Sequence, residues 1–146
     1  MKSKFVELYR DIAERVAQLS TARRARVGSI VVKDDRIISI GYNGTPRGWD
    51  NNCEYENFTL GSVDQPKLET RPEVCHAEMN ALAKIARSNE SAEDADMFVT
   101  HGPCMECAKL IYQSGIAKVY YGEPYKDDAG VRFLKQSGVE VIKHGD

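Results

Sequence analysis

Residues 76–122 read HAEMNALAKIARSNESAEDADMFVTHGPCMECAKLIYQSGIAKVYYG, and two kinds of local pattern take turns along them. Within 76–88, Met79, Leu82, Ala83 and Ile85 recur at helical spacing among strong helix formers, which predicts a helix. Asp96 to Thr100 (DMFVT) is a short apolar run of the length of a buried strand. Residues 103–115 (PCMECAKLIYQSG) predict a further helix closed by Gly115, and 117–122 (AKVYYG) a further strand.

Working outward, a final helix is expected from about Asp128 to Gln136, ended by Gly138, before a short strand VEVIK at 139–143. Upstream, VGSIVVK (27–33) and RIISIGY (36–42) are β-branched runs separated by Asp34 and Asp35, the pattern of a hairpin with a tight polar turn. Before them, Phe5, Val6, Leu8, Tyr9, Ile12, Ala13, Val16 and Leu19 place one apolar stripe on a helix from about Lys4 to Leu19. GYNGTPRGWDNN (41–52) and its continuation to about Val74 hold most of the Gly, Pro and Asn punctuation and read as a long surface loop, a length that usually serves function. Strands alternating with helices after a hairpin indicate an α/β fold: a three-layer α/β/α sandwich on a mixed sheet of about five strands. With 146 residues, one domain over 1–146 is expected.

The composition, 42% hydrophobic and 29% charged, has neither the apolar run of a membrane span nor the bias of disorder. MKSKFVELYRDIAERV mixes apolar and charged residues where a secretory signal needs an unbroken apolar stretch, so a cytoplasmic setting is expected, host cytoplasm for a viral chain. A net charge of -2 gives no broad attraction to a polyanion, which argues for a small ligand over nucleic acid. The local cluster Arg23, Arg24, Arg26 is either a solvated turn or a phosphate contact.

Chemistry concentrates in His76, Glu78, and the pair Cys104 and Cys107. Residues three apart are neighbours on a helix surface, so a CxxC at a helix start can share one metal, and the helix N-terminus favours the thiolates that zinc needs. Two thiolates and one imidazole leave tetrahedral zinc a fourth position for water, the arrangement of a catalytic site. A closed structural site would need Cys53 or Cys75 as fourth ligand, and a redox CxxC would leave HAE unexplained. Four cysteines without a signal point to metal rather than a disulfide framework. HAE, with the first cysteine of PCMEC 28 positions after His76, has the pattern of zinc nucleobase deaminases. Replacing an aromatic amine by water calls for the strong nucleophile that zinc supplies at neutral pH and for a carboxylate that shuttles protons. Glu78 fits the second role; its plainer reading is a first-turn glutamate complementing the helix dipole.

Through RARVGSIVVKDDRIISIGYNGTPRG (24–48), VCHAEMNAL (74–82) and PCMECAKLIYQSGIAKVYY (103–121), the chain resembles the cytidine and deoxycytidylate deaminase superfamily, and GYNGTPRG with the loop behind it is similar to the deoxycytidylate branch. The resemblance implies a cytidine deaminase-like fold and hydrolysis of dCMP to dUMP and ammonia, supplying dUMP for thymidylate synthesis. It implies His76, Cys104 and Cys107 as Zn2+ ligands and Glu78 as proton shuttle. Asn43 is placed at the sugar, Arg26 at the 5'-phosphate, and Ala77 and Tyr120 along the substrate pocket, with a turn residue and plain core packing as the plainer readings of Asn43 and Tyr120. It further implies a homohexamer activated by dCTP and inhibited by dTTP, the effector carrying Mg2+ at Tyr42, Asn43 and Gly44. The loop's Cys53, with no histidine between Asn43 and Cys75, does not support a second structural zinc. The rivals are a deaminase of the same fold acting on cytidine, guanine or adenosine in tRNA, and a zinc-stabilised nucleotide sensor without catalysis.

Overall fold

A computed structural model describes residues 1–144. Five strands, β1 (Gly28–Lys33), β2 (Arg36–Tyr42), β5 (Asp96–His101), β6 (Lys118–Glu123) and β7 (Glu140–Lys143), form one sheet in the order β2-β1-β5-β6-β7. β1 runs antiparallel to both neighbours, whereas β5, β6 and β7 are parallel, so the sheet is mixed as expected. The β1–β2 turn is built from Asp34 (φ 52) and Asp35 (φ 61), the two positive φ values that a type I′ hairpin requires.

Alternation along the strands assigns the layers. Ile30, Val32 and Phe98 face α1 (Ser3–Ala17) with Tyr9, Ala13 and Val16, while Val31, Met97, Val99 and Val119 face the opposite layer. That layer holds α2 (Ala77–Ala86), α3 (Met105–Gln113) and α4 (Ala129–Gln136), contributing Leu82, Ala108, Ile111 and Leu134. The three-layer α/β/α sandwich is therefore present. No helix among the described residues is long and apolar enough to cross a membrane.

The stretch read as a long loop contains a second, two-stranded sheet, β3 (Glu54–Asn57) with β4 (Lys67–Thr70), in register Glu54↔Thr70. Its neck is closed by Gly44 and Cys75, which exchange both backbone bonds (3.1 and 2.8 Å). The segment is thus an arm that leaves and rejoins the body at one point, immediately before His76.

Two sheet glycines let helix backbones approach closely. A Cβ on Gly28 would lie 2.3 Å from the Ala13 carbonyl oxygen of α1, and one on Gly41 would lie 2.3 Å from the Ala77 carbonyl oxygen and 2.5 Å from the Ala81 nitrogen of α2. Gly41→Ala is accordingly expected to push α2 off the sheet, destabilising by about 1–3 kcal/mol as overpacking does. Urea denaturation should show a lower midpoint, and because α2 carries His76 and Glu78, activity should fall further than stability alone explains.

Candidate functional site

Two helix starts converge at the site. His76 is the residue before the first turn of α2, and Cys104 that before the first turn of α3, with Cys107 inside that turn. α2 is held to the sheet by buried serines: Ser29 Oγ donates to the Ala77 carbonyl (2.9 Å) and Ser39 Oγ to the Ala81 carbonyl (2.7 Å). Asn80 Nδ2 donates to the Tyr42 carbonyl (2.8 Å), fixing the same helix to the end of β2. The start of α3 is set by Gly102, whose N–H donates to the Glu123 carbonyl (2.7 Å), and by Gly130, where α4 packs too close to the Pro103 carbonyl for any side chain.

His76 Nδ1 lies 3.6 Å from Cys104 Sγ and 3.4 Å from Cys107 Sγ. Zinc bonds of about 2.0–2.1 Å to nitrogen and 2.3 Å to sulfur, at tetrahedral angles, separate such donor atoms by about 3.6 Å. The trio is therefore spaced to hold a zinc ion, and among the described residues it is the one group of three or more His, Cys, Asp or Glu so gathered. Cys53 and Cys75 stand apart: Cys53 Sγ contacts Thr21 Oγ1 (3.7 Å) and Cys75 Sγ the Glu73 carbonyl (3.8 Å). All four cysteines are free thiols. Three donors with no fourth side chain among the described residues form the donor set of a catalytic site.

The charges agree. Hydrogen bonds from the Cys107 thiol and from His76 pull the Cys104 thiol down to about 3, and the same Cys104 contact pushes the Cys107 thiol up. His76, bonded to Cys104, is raised. Glu78 is 4% exposed, and burial pushes its carboxyl up to about 7. A buried carboxyl displaced toward neutrality beside a metal donor set is suited to taking and giving protons.

His76, Ala77, Glu78 and Cys104 line a cavity of about 330 Å³, within the range of small-molecule sites. Asn43 also lines it; its Oδ1 accepts from Val27 N–H (2.9 Å) and its Nδ2 donates to the Ala25 carbonyl (2.9 Å), so its amide orders the chain before β1. The cavity's basic side chains include Arg24 and Lys126, and the arm adds Glu54 and Thr70.

Two expected residues are elsewhere. Arg26 is exposed and does not line the cavity; the arginine that does is its neighbour Arg24, whose Nη1 donates to Thr70 Oγ1 (3.0 Å). Tyr120 lies on the opposite face of the sheet, stacked on Phe98 (centroids 4.4 Å apart, planes within 3°), and lines a different cavity of about 360 Å³ beneath α1. Its position in β6 turns the ring toward α1, where Phe98 also points, which makes it a packing residue. The aromatic residue in the candidate site is Tyr125, past the end of β6, whose hydroxyl is raised by burial and by the Cys104 charge and lowered by Arg24. Tyr125 is thus within electrostatic reach of both. At the GYNG corner, Tyr42 is exposed and the Gly44 N–H is already committed to the Cys75 carbonyl.

Residues 3–123 match the family model described as the cytidine and deoxycytidylate deaminase zinc-binding region. The chain is 37% identical over 165 residues to the deoxycytidylate deaminase of Enterobacteria phage T4, covering 90% of this chain and 85% of that protein. It is 36% identical over 124 residues to the deoxycytidylate deaminase of Homo sapiens, covering 83% and 66%. Among solved structures, the dCMP deaminase of cyanophage S-TIM5 in complex with dCMP and dUMP superposes with a TM-score of 0.87 at 44% identity, covering 98% of each chain. With its zinc-binding region matched from residue 3 to residue 123 and these relatives aligned along most of its length, the chain belongs to the cytidine and deoxycytidylate deaminase family.

Proposed function

We infer that this chain is a dCMP deaminase that hydrolyses dCMP to dUMP and ammonia. The observation that carries this reading is one cavity lined by His76 and Cys104 of the three-donor zinc set and by a buried glutamate together with an arginine, the last suited to a phosphate. The relatives named deoxycytidylate deaminase and the dCMP- and dUMP-bound phage enzyme support the choice of nucleotide.

His76, Cys104 and Cys107 would hold the zinc ion, which when bound lowers the pKa of water to about 7 and so supplies a nucleophile at neutral pH. Glu78 takes the first proton that water gives up and delivers it to the ring nitrogen, which keeps it in dUMP; it then takes the second proton, from the hydroxyl added at C4, and delivers it to the departing amine, so that the C4–N bond breaks and the nitrogen leaves as ammonia. Ala77 begins α2, where helical N–H groups lack an intrahelical acceptor, and it lines the cavity, so its N–H would donate to the pyrimidine carbonyl. Tyr125 forms an aromatic wall for the ring, and Asn43 stands by the sugar. Arg24 pairs with the 5'-phosphate, the planar guanidinium matching its oxygens.

Arg24→Ala is expected to raise KM for dCMP about 10- to 100-fold, the loss of a charge-assisted hydrogen bond, with a much smaller change in kcat. Arg26→Ala should leave KM near that of the unmodified chain. Steady-state kinetics on both variants check this, and an equal effect of the two would sink the assignment.

Regulation by dCTP and dTTP at Tyr42, Asn43 and Gly44, with Mg2+ on the effector and a hexameric assembly, is part of the same proposal and rests on the family resemblance. One assay tests the whole: ammonia release from dCMP, CMP, deoxycytidine and dCTP, each with and without added dCTP or dTTP. Absence of deamination of every substrate by zinc-loaded protein would refute the reading.

A further inference from the structure

Glu54 opens β3 and is 2% exposed, yet the chemistry above makes no use of it. Burying a carboxylate is unfavourable unless hydrogen bonds replace its water. Here the replacements are two main-chain N–H groups: Oε2 accepts from Arg23 (2.9 Å) and from Arg24 (3.0 Å). Oε1 lies 3.6 Å from Arg23 Nε and has no hydrogen-bond partner among the described residues. Directly across the arm, Thr70 pairs with Glu54 and accepts from the Arg24 guanidinium.

We propose that Glu54 is the positioning residue for phosphate recognition, gripping the Arg23–Arg24 backbone so that the base of the arm presets Arg24 and with it the preference for nucleotide over nucleoside. The role rests on the reading of Arg24 as the phosphate ligand. Residues 23–26 belong to no helix or strand, so their own secondary structure does not hold them. Five contacts do: Glu54 to the N–H groups of residues 23 and 24, Thr70 to the Arg24 side chain, and Asn43 to the Ala25 carbonyl and the Val27 N–H. Arg23 is turned outward onto Glu56 (2.9 Å), which leaves Arg24 the inward-facing member of the pair. Ordering an arginine before the ligand arrives removes an entropic cost from binding. The arm inserted between β2 and α2 thereby acts on specificity without touching the reacting atoms.

The test compares Arg24→Ala, Glu54→Ala, Glu54→Gln and Thr70→Val by KM and kcat for dCMP and by the inhibition constant of deoxycytidine, which lacks the phosphate, against dCMP. Bound zinc and thermal midpoint are measured on each. Glu54→Ala should raise KM for dCMP about tenfold, the order expected for losing hydrogen bonds to a charged group. The change in kcat should be about twofold at most, and deoxycytidine inhibition should not move. Glu54→Gln, whose carboxamide oxygen still accepts the two N–H bonds, should recover most of the loss. If Arg24→Ala raises KM and Glu54→Ala does not, or if Glu54→Ala weakens dCMP and deoxycytidine equally, the Glu54 role is wrong while the Arg24 reading stands. If Arg24→Ala itself leaves KM unchanged, the Arg24 reading falls and the Glu54 role with it. Should Glu54→Ala not fold, Thr70→Val decides: it removes the Arg24 contact alone, and an unchanged KM for dCMP there overturns the proposal.

Discussion

Replacing Glu78 by Gln will reduce dCMP turnover by about 10²- to 10⁴-fold, the range supplied by a positioned proton-transfer group. The substitution keeps the shape of a side chain that is 4% exposed and removes only its ability to carry a proton between water and the leaving amine. Zinc content should stay at one ion per chain, because the donor set is His76, Cys104 and Cys107 and does not include Glu78. Stability should hold or rise, since burial already disfavours the Glu78 carboxylate, as its displacement to about 7 records. KM for dCMP should change little, because the phosphate and sugar contacts proposed for the substrate lie on other residues. The combination separates an enzyme from a zinc-stabilised nucleotide sensor: in a sensor, Glu78→Gln would alter no readout. Ammonia release, zinc by elemental analysis and a melting curve on one preparation make the comparison, and retained turnover would remove Glu78 from the mechanism.

How much of this was legible without coordinates depends on whether the signal was local. The strands GSIVVK and RIISIGY and the four helices carry their periods in their own residues, and the helix starts at His76 and Cys104 follow from the motif spacing. The arm's strands, EYEN and KLET, are four residues each and mostly polar, with no apolar alternation to mark them; pairing through Glu54↔Thr70 and closure of the neck by Gly44 and Cys75 create them. Tyr120 was misplaced because KVYYGE is apolar at consecutive positions, and a one-residue change of phase sends a strand side chain to the other face. Arg24 and Arg26 could not be told apart, since what turns Arg24 inward is a set of bonds from Glu54, Thr70 and Asn43, all distant in sequence. Tyr125 was missed although a signal existed. Ligands of open α/β sheets bind beyond the carboxyl ends of parallel strands, and Tyr125 follows β6 as Cys104 follows β5.

Replacing Cys107 by Ser is expected to empty the metal site. Cys107 is 2% exposed and stands in the first turn of α3, so its sulfur has little freedom to be replaced by water or by a neighbouring donor. Of the three donors proposed for the ion, its loss leaves one imidazole and one thiolate, too few for a tetrahedral zinc site. Because the ion binds the folded chain, its binding energy is part of the folding energy, and zinc at about 100 times its dissociation constant contributes about 2.7 kcal/mol. For a chain of this size that corresponds to a melting midpoint lower by roughly 5–10 °C, with turnover abolished. A strong chelator should bring the unmodified chain to the same midpoint and should not shift the variant further. The pH dependence has a definite sign: zinc requires both thiols deprotonated and His76 neutral, so acidification releases the ion and the stabilisation it confers is lost as pH falls. Cys53→Ser and Cys75→Ser serve as the contrast, since Cys53 faces Thr21 and Cys75 the Glu73 carbonyl, outside the trio. Each should keep one zinc ion per chain. Zinc retained by Cys107→Ser, or lost from Cys75→Ser, would mean that the ion is held by a different set of donors and that the open coordination position assigned to water does not exist.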